Sequence, residues 1–123
     1  MRFLLLSCDE SVISIIHTTM AVYGSFDIAD SIPSAMEYVK NSKGRPYQAV
    51  FADMDLRDGA GLDFIRQLRE FEGDRRNYAT AVILTCDKQI ANTMNYFADV
   101  KDRYISKPVS RPELHEILKE LII

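Results

Sequence analysis

The chain has 123 residues, 47% apolar and 27% charged, with 15 basic and 18 acidic side chains and a net charge of −3. That is enough for one domain with a buried core, and it contains neither the roughly 20-residue apolar run of a membrane-crossing helix nor the pattern of a secretory signal peptide. A mild acidic excess without a Lys/Arg run argues against direct nucleic-acid binding, and two cysteines, Cys8 and Cys86, with no CxxC spacing fit neither a disulfide framework nor a structural zinc site.

A reducing, cytoplasmic setting is therefore expected. Along the chain, apolar runs of strand length alternate with stretches of helical period. Residues 3–6 predict a buried strand, and residues 11–22 a helix with Val12, Ile15, Ile16, Thr19 and Met20 on one face. A weaker strand is expected over 26–29. Pro33 suits the first turn of a second helix, where its missing N–H is not needed; Ala35, Met36 and Val39 face inward, and Gly44, Arg45 and Pro46 stop it. Residues 49–52 give a third strand, followed by a third helix through Leu62, Ile65, Leu68 and Arg69 to about Glu70, then a polar surface loop over 72–78. Residues 81–84 form the fourth strand, 88–97 a less apolar fourth helix with Ile90, Met94 and Phe97 inward, and 104–106 a short fifth strand. Ser110 opens the fifth helix with the capping box Ser110-Arg-Pro-Glu113, ahead of Leu114, Ile117, Leu118 and Leu121.

Five β-α units in strict alternation imply one α/β domain over residues 1–123, a parallel sheet with helices on both faces. The fifth unit ends with the chain, so any effector domain is expected outside it. Ligands of such sheets bind beyond the carboxyl ends of the strands. There the chain places Asp9, Asp53, Thr85 and Lys107. Two carboxylates suit a Mg²⁺ ion, which keeps its other sites for water and phosphate. A carboxylate is also a nucleophile towards phosphorus, and a metal, an ammonium and a hydroxyl can share the charge on a transferring phosphoryl group. Any single Asp at such a place more often caps a helix or turn, the ordinary expectation for Asp58 and Asp87. For the four together, chemistry is the better reading.

Four motifs in order carry a resemblance over the whole length: Leu4-Leu-Leu-Ser-Cys-Asp-Glu10, Phe51-Ala-Asp-Met-Asp-Leu-Arg-Asp-Gly-Ala-Gly61, Val82-Ile-Leu-Thr-Cys86 and Tyr104-Ile-Ser-Lys-Pro108. The sequence resembles the receiver domains of two-component response regulators. The resemblance implies a flavodoxin-like (βα)5 doubly wound sheet of five parallel strands in the order 2-1-3-4-5. It implies Mg²⁺-dependent phosphoryl transfer from a histidine kinase or phosphotransfer protein to Asp53, the domain catalysing its own phosphorylation and dephosphorylation rather than acting as an enzyme on others. Asp9 and Asp53 are the implied metal ligands, joined by the backbone carbonyl of Asp55. Lys107 is the implied phosphoryl partner, Pro108 follows a cis bond, Thr85 and Tyr104 form the switch, and Gly61 takes a small-residue position. The implied output is a change in the surface of the fourth helix, fifth strand and fifth helix (α4-β5-α5), read by an effector domain, a partner protein or a second copy.

Departures from the family pattern matter. Cys8 stands where a further acid is usual, and a thiol is a poor ligand for a hard cation, so a competent receiver with reduced Mg²⁺ affinity is expected. The alternative is a pseudo-receiver, an interaction module that keeps the fold but takes no phosphate. Arg57 replaces a common proline, Cys86 a usual small residue, and Asp55 and Asp87 occupy positions that tune acyl-phosphate lifetime in the family. Cysteine catalysis at Cys8 is disfavoured, because His17 and His115 lie in helices away from it, and both read as helix-surface or boundary residues. A disulfide between Cys8 and Cys86 would span two strand spacings, too far for normal geometry. A small flavodoxin-like enzyme is disfavoured because there is no glycine-rich cofactor loop.

Overall fold

The structure, a computed structural model, describes residues 2–42, 47–56, 59–72, 81–86 and 103–122. Its main sheet has five strands, β1 (Arg2–Leu6), β2 (Ser25–Ala29), β3 (Ala49–Asp53), β4 (Ala81–Cys86) and β5 (Arg103–Ser106). All pairings are parallel, in the order β2-β1-β3-β4-β5, the flavodoxin-like order. The described helices are α1 (Glu10–Met20), α2 (Ile32–Lys40), α3 (Gly61–Glu72) and the C-terminal helix Arg111–Ile122. The helix expected over 88–97 lies outside the described residues.

Alternation along the strands divides the core in two. Leu4, Leu6, Val50, Ala52, Val82 and Leu84 pack against α2 and α3, including Ile32, Ala35, Met36, Val39, Phe64 and Leu68. Phe3, Leu5, Phe51, Ile83 and Ile105 pack against α1 and the C-terminal helix through Val12, Ile16, Met20, Leu114, Ile117 and Leu118. Buried strands of this kind read as continuous apolar runs, because both faces are covered.

Several boundaries differ from the sequence-based expectation. β3 includes Asp53 and β4 includes Thr85 and Cys86, because the ladder continues past the apolar runs; Asp53 pairs with Thr85 and Cys86 with Ser106. Backbone pairing does not depend on side-chain polarity. α1 ends at Met20, its last buried position, where Ala21 N–H bonds the His17 carbonyl and Val22 is left exposed in the turn. α2 ends at Lys40 with Asn41 as its cap, before Gly44 is reached. α3 runs on to Glu72, so that residue is helical rather than looped, and Phe64 and Leu68 are fully buried on this helix. Asp55–Leu56 and Gly59–Ala60 form a short antiparallel ladder in what reads from sequence as loop.

The helix starts are locally encoded. Asp9 caps α1 through the Ser11 N–H, and Ser31 caps α2 through the Ser34 N–H, with a proline in the first turn. At the C-terminal helix the Glu113 N–H bonds Ser110 Oγ at 3.5 Å while that hydroxyl donates to Glu113 Oε1 at 3.0 Å. His17 and His115 are exposed on their helices, as expected.

Gly61 opens α3 where it meets the end of β3. Its N–H bonds the Met54 carbonyl at 2.9 Å. A Cβ here would overlap the Asp53 carbonyl oxygen and meet Leu84 Cδ1 at 3.0 Å. The nearest obstacle is backbone, which cannot rotate away. At the amino-terminal edge of the sheet, Tyr47 OH donates to Asp27 Oδ2 at 2.6 Å, and the Arg2 guanidinium lies 4.7 Å from the Tyr47 ring centre and 3.4 Å from the same oxygen. Burial, and then the bond to the Asp27 carboxylate, pushes the Tyr47 phenol up to about 12.

Two outcomes are expected. Gly61→Ala lowers stability by about 1–3 kcal/mol through overpacking, read as a lower urea midpoint with an unchanged slope; an unaltered midpoint contradicts the close approach. The folded Tyr47 phenol titrates above its ordinary value of 10.0, so its contribution is complete below that pH and is lost as pH rises towards the folded value. Alkaline titration of phenolate absorbance therefore shows a late-titrating tyrosine that is lost in Tyr47→Phe.

Candidate functional site

The same alternation that builds the core places the polar residues at the carboxyl edge. Following Phe3 and Leu5 in phase comes Ser7; following Phe51, Asp53; following Ile83, Thr85; following Ile105, Lys107. Each ends an apolar series on the face covered by α1 and the C-terminal helix. The Ser7 N–H bonds the Ala29 carbonyl at 3.1 Å, which carries the β1–β2 ladder one residue past β1.

At the centre is Asp53, 1% exposed. A buried charge must be paired and hydrogen-bonded. Lys107 Nζ lies 2.9 Å from Asp53 Oδ1 and 3.1 Å from Oδ2, so one ammonium spans both oxygens. The Ser7 hydroxyl donates to Oδ2 at 3.2 Å and accepts the Asp9 N–H at 3.1 Å. Thr85, also buried, is the register partner of Asp53, and its Oγ1 lies 3.5 Å from the Ala52 carbonyl. The Lys107–Pro108 bond is cis, as the resemblance implies.

Asp9 serves two purposes. As the cap of α1 its Oδ1 accepts from the Ser11 N–H at 3.0 Å and the Ser11 hydroxyl at 2.7 Å, while Oδ2 lies 3.9 Å from Lys107 Nζ. Capping α1 and a place beside Lys107 are thus not exclusive for this side chain. The Ser11 hydroxyl, against an opposing desolvation, holds the carboxyl below the usual range, helped by backbone N–H groups of Ser11 and Val12 and by Lys107. Asp9 is the partly open carboxylate of the pair, with 41% of its side chain exposed.

Two carboxylates that face one ammonium from neighbouring strand ends form a hard-oxygen donor set. No cluster of three or more His, Cys, Asp and Glu positioned to hold a metal occurs among the described residues. The chemistry fits a cation that takes one or two carboxylates and fills its other positions with water and ligand oxygens, as Mg²⁺ does. Cys8, one residue out of phase with Ser7, directs its thiol to the Asp30 carbonyl at 3.1 Å, beside the start of α2, and is not disulfide-bonded. β3 lies between β1 and β4, the strands that lead to Cys8 and end at Cys86.

The fold therefore brings together Asp9, Asp53, Thr85 and Lys107. Asp55 lies in the short ladder opposite Ala60, two residues beyond Asp53, and Tyr104 pairs in register with Leu84, beside Thr85. Asp58, Asp87 and Met94 lie outside the described residues. Ser7 was not expected from the sequence. Its signal is positional: a hydroxyl in phase with two buried residues, immediately before the acidic motif.

In the comparison with curated proteins, the chain is 31% identical over 87 residues, 70% of its length, to hybrid signal transduction histidine kinase L of Dictyostelium discoideum, and it spans 5% of that protein. It matches the fold of a CheY-like response regulator receiver domain from Methylobacillus flagellatus with a TM-score of 0.77 at 22% identity, covering 98% of this chain and 97% of that one. A two-component response regulator from Clostridium difficile gives 0.74 at 19%, covering 98% and 94%. The family model described as "Response regulator receiver domain" matches residues 8–119. With a parallel sheet in the family's order and an acidic edge built around Asp53 and Lys107, the chain belongs to the response regulator receiver domains of two-component phosphorelay signalling.

Proposed function

We propose that this receiver domain accepts a phosphoryl group on Asp53 from a histidine kinase or phosphotransfer protein, and that the modification acts as a switch. The observation that carries this reading is the buried Asp53 carboxylate, bridged across both oxygens by Lys107. A carboxylate so placed at a ligand-binding strand edge is oriented for attack, and an ammonium beside it can neutralise charge as it moves.

In the proposed step an Asp53 oxygen attacks the phosphorus of a phosphohistidine. The phosphorus–nitrogen bond breaks with its electron pair going to the imidazole, and an acyl phosphate forms on Asp53. As Asp53 gives up its charge, Lys107 follows the phosphoryl oxygens, and the Thr85 hydroxyl supplies a further donor. A Mg²⁺ ion held by Asp9, Asp53 and the Asp55 carbonyl would supply the remaining positive charge on those oxygens. Asp9 suits this role because its depressed pKa keeps it ionised. The domain thus catalyses its own phosphorylation and dephosphorylation, with Asp55 and Asp87 tuning the lifetime.

The switch is a population shift, driven by contacts that the phosphoryl group makes better in one state. Movement of Thr85 towards the new charge and of Tyr104 into the space vacated would alter the surface of the helix expected over 88–97, β5 and the C-terminal helix. An effector domain, a partner protein or a second copy would read that surface. No described helix is long and apolar enough to cross a membrane, and we place the protein in the cytoplasm, where its kinases act. The pseudo-receiver reading is favoured by one observation: Cys8, at a position where an acid is usual, engages the Asp30 carbonyl.

Two experiments decide. Incubation with acetyl phosphate and Mg²⁺ is expected to give a single hydroxylamine-sensitive phosphoryl adduct by intact mass, lost in Asp53→Asn; no wild-type adduct at any Mg²⁺ concentration supports the pseudo-receiver. In the same assay Cys8→Asp is expected to reach half-maximal labelling at about tenfold less Mg²⁺, the lower end of outer-shell effects on metal affinity. Equal Mg²⁺ dependence would show that the thiol does not weaken the site.

A further inference from the structure

Ser7 plays no part in the chemistry above, yet its hydroxyl sits directly on Asp53. The residue is 1% exposed. Its Oγ accepts the Asp9 N–H at 3.1 Å and donates to Asp53 Oδ2 at 3.2 Å. A hydroxyl has a single proton, and with the amide on one lone pair that proton is directed at the carboxylate. The face it shares with Phe3, Leu5, Phe51, Ile83 and Ile105 is otherwise apolar up to this edge, so packing alone does not call for a hydroxyl here.

A bond to an ionised acceptor is about twice as strong as one to a neutral acceptor. The Ser7 bond therefore depends on whether Asp53 is a carboxylate or an acyl phosphate. We infer that Ser7 is a positioning residue that shortens the lifetime of phosphorylated Asp53 by stabilising the carboxylate released when the phosphoryl group departs. This rests on Asp53 being the phosphoacceptor, as proposed above.

In hydrolysis a water oxygen attacks phosphorus. The bond between phosphorus and the Asp53 oxygen breaks, its electron pair returns to the carboxyl group, and the proton lost by the water passes to solvent as inorganic phosphate leaves. Negative charge returns to Asp53 during this step, and the Ser7 donor is already aimed at it. Return of the phosphoryl group to a phosphotransfer histidine regenerates the same carboxylate. Ser7 thus favours the unphosphorylated state in both routes. It also ties the Asp9 backbone to the Asp53 side chain, so the cap of α1 and the phosphoacceptor share one hydroxyl.

The test uses wild type, Ser7→Ala, Ser7→Cys and Ser7→Thr, each labelled with acetyl phosphate and Mg²⁺ and then moved into excess EDTA, so that metal affinity does not enter the comparison. Decay of the adduct is followed by intact mass, and thermal unfolding is measured alongside. Ser7→Ala is expected to decay about fivefold more slowly, the rate equivalent of the difference between a hydroxyl's bond to an ionised acceptor and its bond to a neutral one. Ser7→Cys, with a weaker donor, is also expected to be slower than wild type, and Ser7→Thr, which keeps the hydroxyl, to match it. Ser7→Cys decides by the same criterion if Ser7→Ala does not fold. Decay as fast as wild type in Ser7→Ala or Ser7→Cys overturns the inference, as does equal slowing in Ser7→Thr, which would assign the effect to packing. A lowered Tm with unchanged decay marks Ser7 as merely structural and overturns it too. Absence of any adduct on wild type overturns the phosphoacceptor reading and this inference together, whereas a labelled wild type with unslowed variants overturns this inference alone.

Discussion

A carboxylate closed off at the end of a central parallel strand has to find a cation, and Lys107 reaches Asp53. β3 and β5 are not neighbours; β4 lies between them. Two strand spacings amount to roughly 10 Å, a gap that a long, unbranched side chain can span only if the intervening strand offers something short beneath it. Thr85, the register partner of Asp53, is a small residue of that strand. The ion pair thus constrains three strands at once. It ties the last residue of β3 to the first residue beyond β5, with β4 between them. Pairs of this kind add little net stability, because desolvation offsets the attraction. Their value is in holding charge ready at a fixed place.

The rest of the edge follows from parity. In a strand, neighbouring side chains point to opposite faces, and the chain keeps this alternation for a residue or two past each strand. Ser7 therefore meets Asp53, whereas Cys8 turns to the Asp30 carbonyl near α2. Asp9, next in line, is claimed by the start of α1, and still keeps one oxygen within 3.9 Å of the lysine. A single run of three residues thus supplies a buried donor, a thiol outside the ion-pair cluster and a partly open carboxylate. Gly61 completes the arrangement from the other side, since only a residue without a side chain lets α3 begin against the Asp53 carbonyl.

Most of the fold was legible because its signals are local and repeated. Phe3, Leu5, Phe51 and Ile83 sit in short apolar runs, and the helical faces of α1 and α2 carry the expected residues. Asp9, Asp53, Thr85 and Lys107 were legible as strand-end residues in a recognisable order. Strand ends were less so: Asp53 and Thr85 are paired in the ladder, and polarity gave no indication of it. Phe64, a buried anchor of α3, escaped notice beside the more regular Leu62, Ile65 and Leu68 spacing. Ser7 escaped because a serine at a strand end is among the most ordinary residues in any sequence.

By itself, then, the amino-acid order determined the five strands of the main sheet, the helices α1, α2, α3 and the C-terminal one, and which polar side chains follow the strands, since periodicity and residue type are written along the chain. Only the tertiary structure decided which of them meet. That Lys107 spans both Asp53 oxygens, that Ser7 joins them while Cys8 does not, and that Asp9 divides its oxygens between a helix cap and the site all depend on strand order and register. The contacts that meet on Asp53 join residues 46 and 54 positions apart. No local pattern encodes them, because they arise when the strands are laid side by side and their side chains have to share one edge.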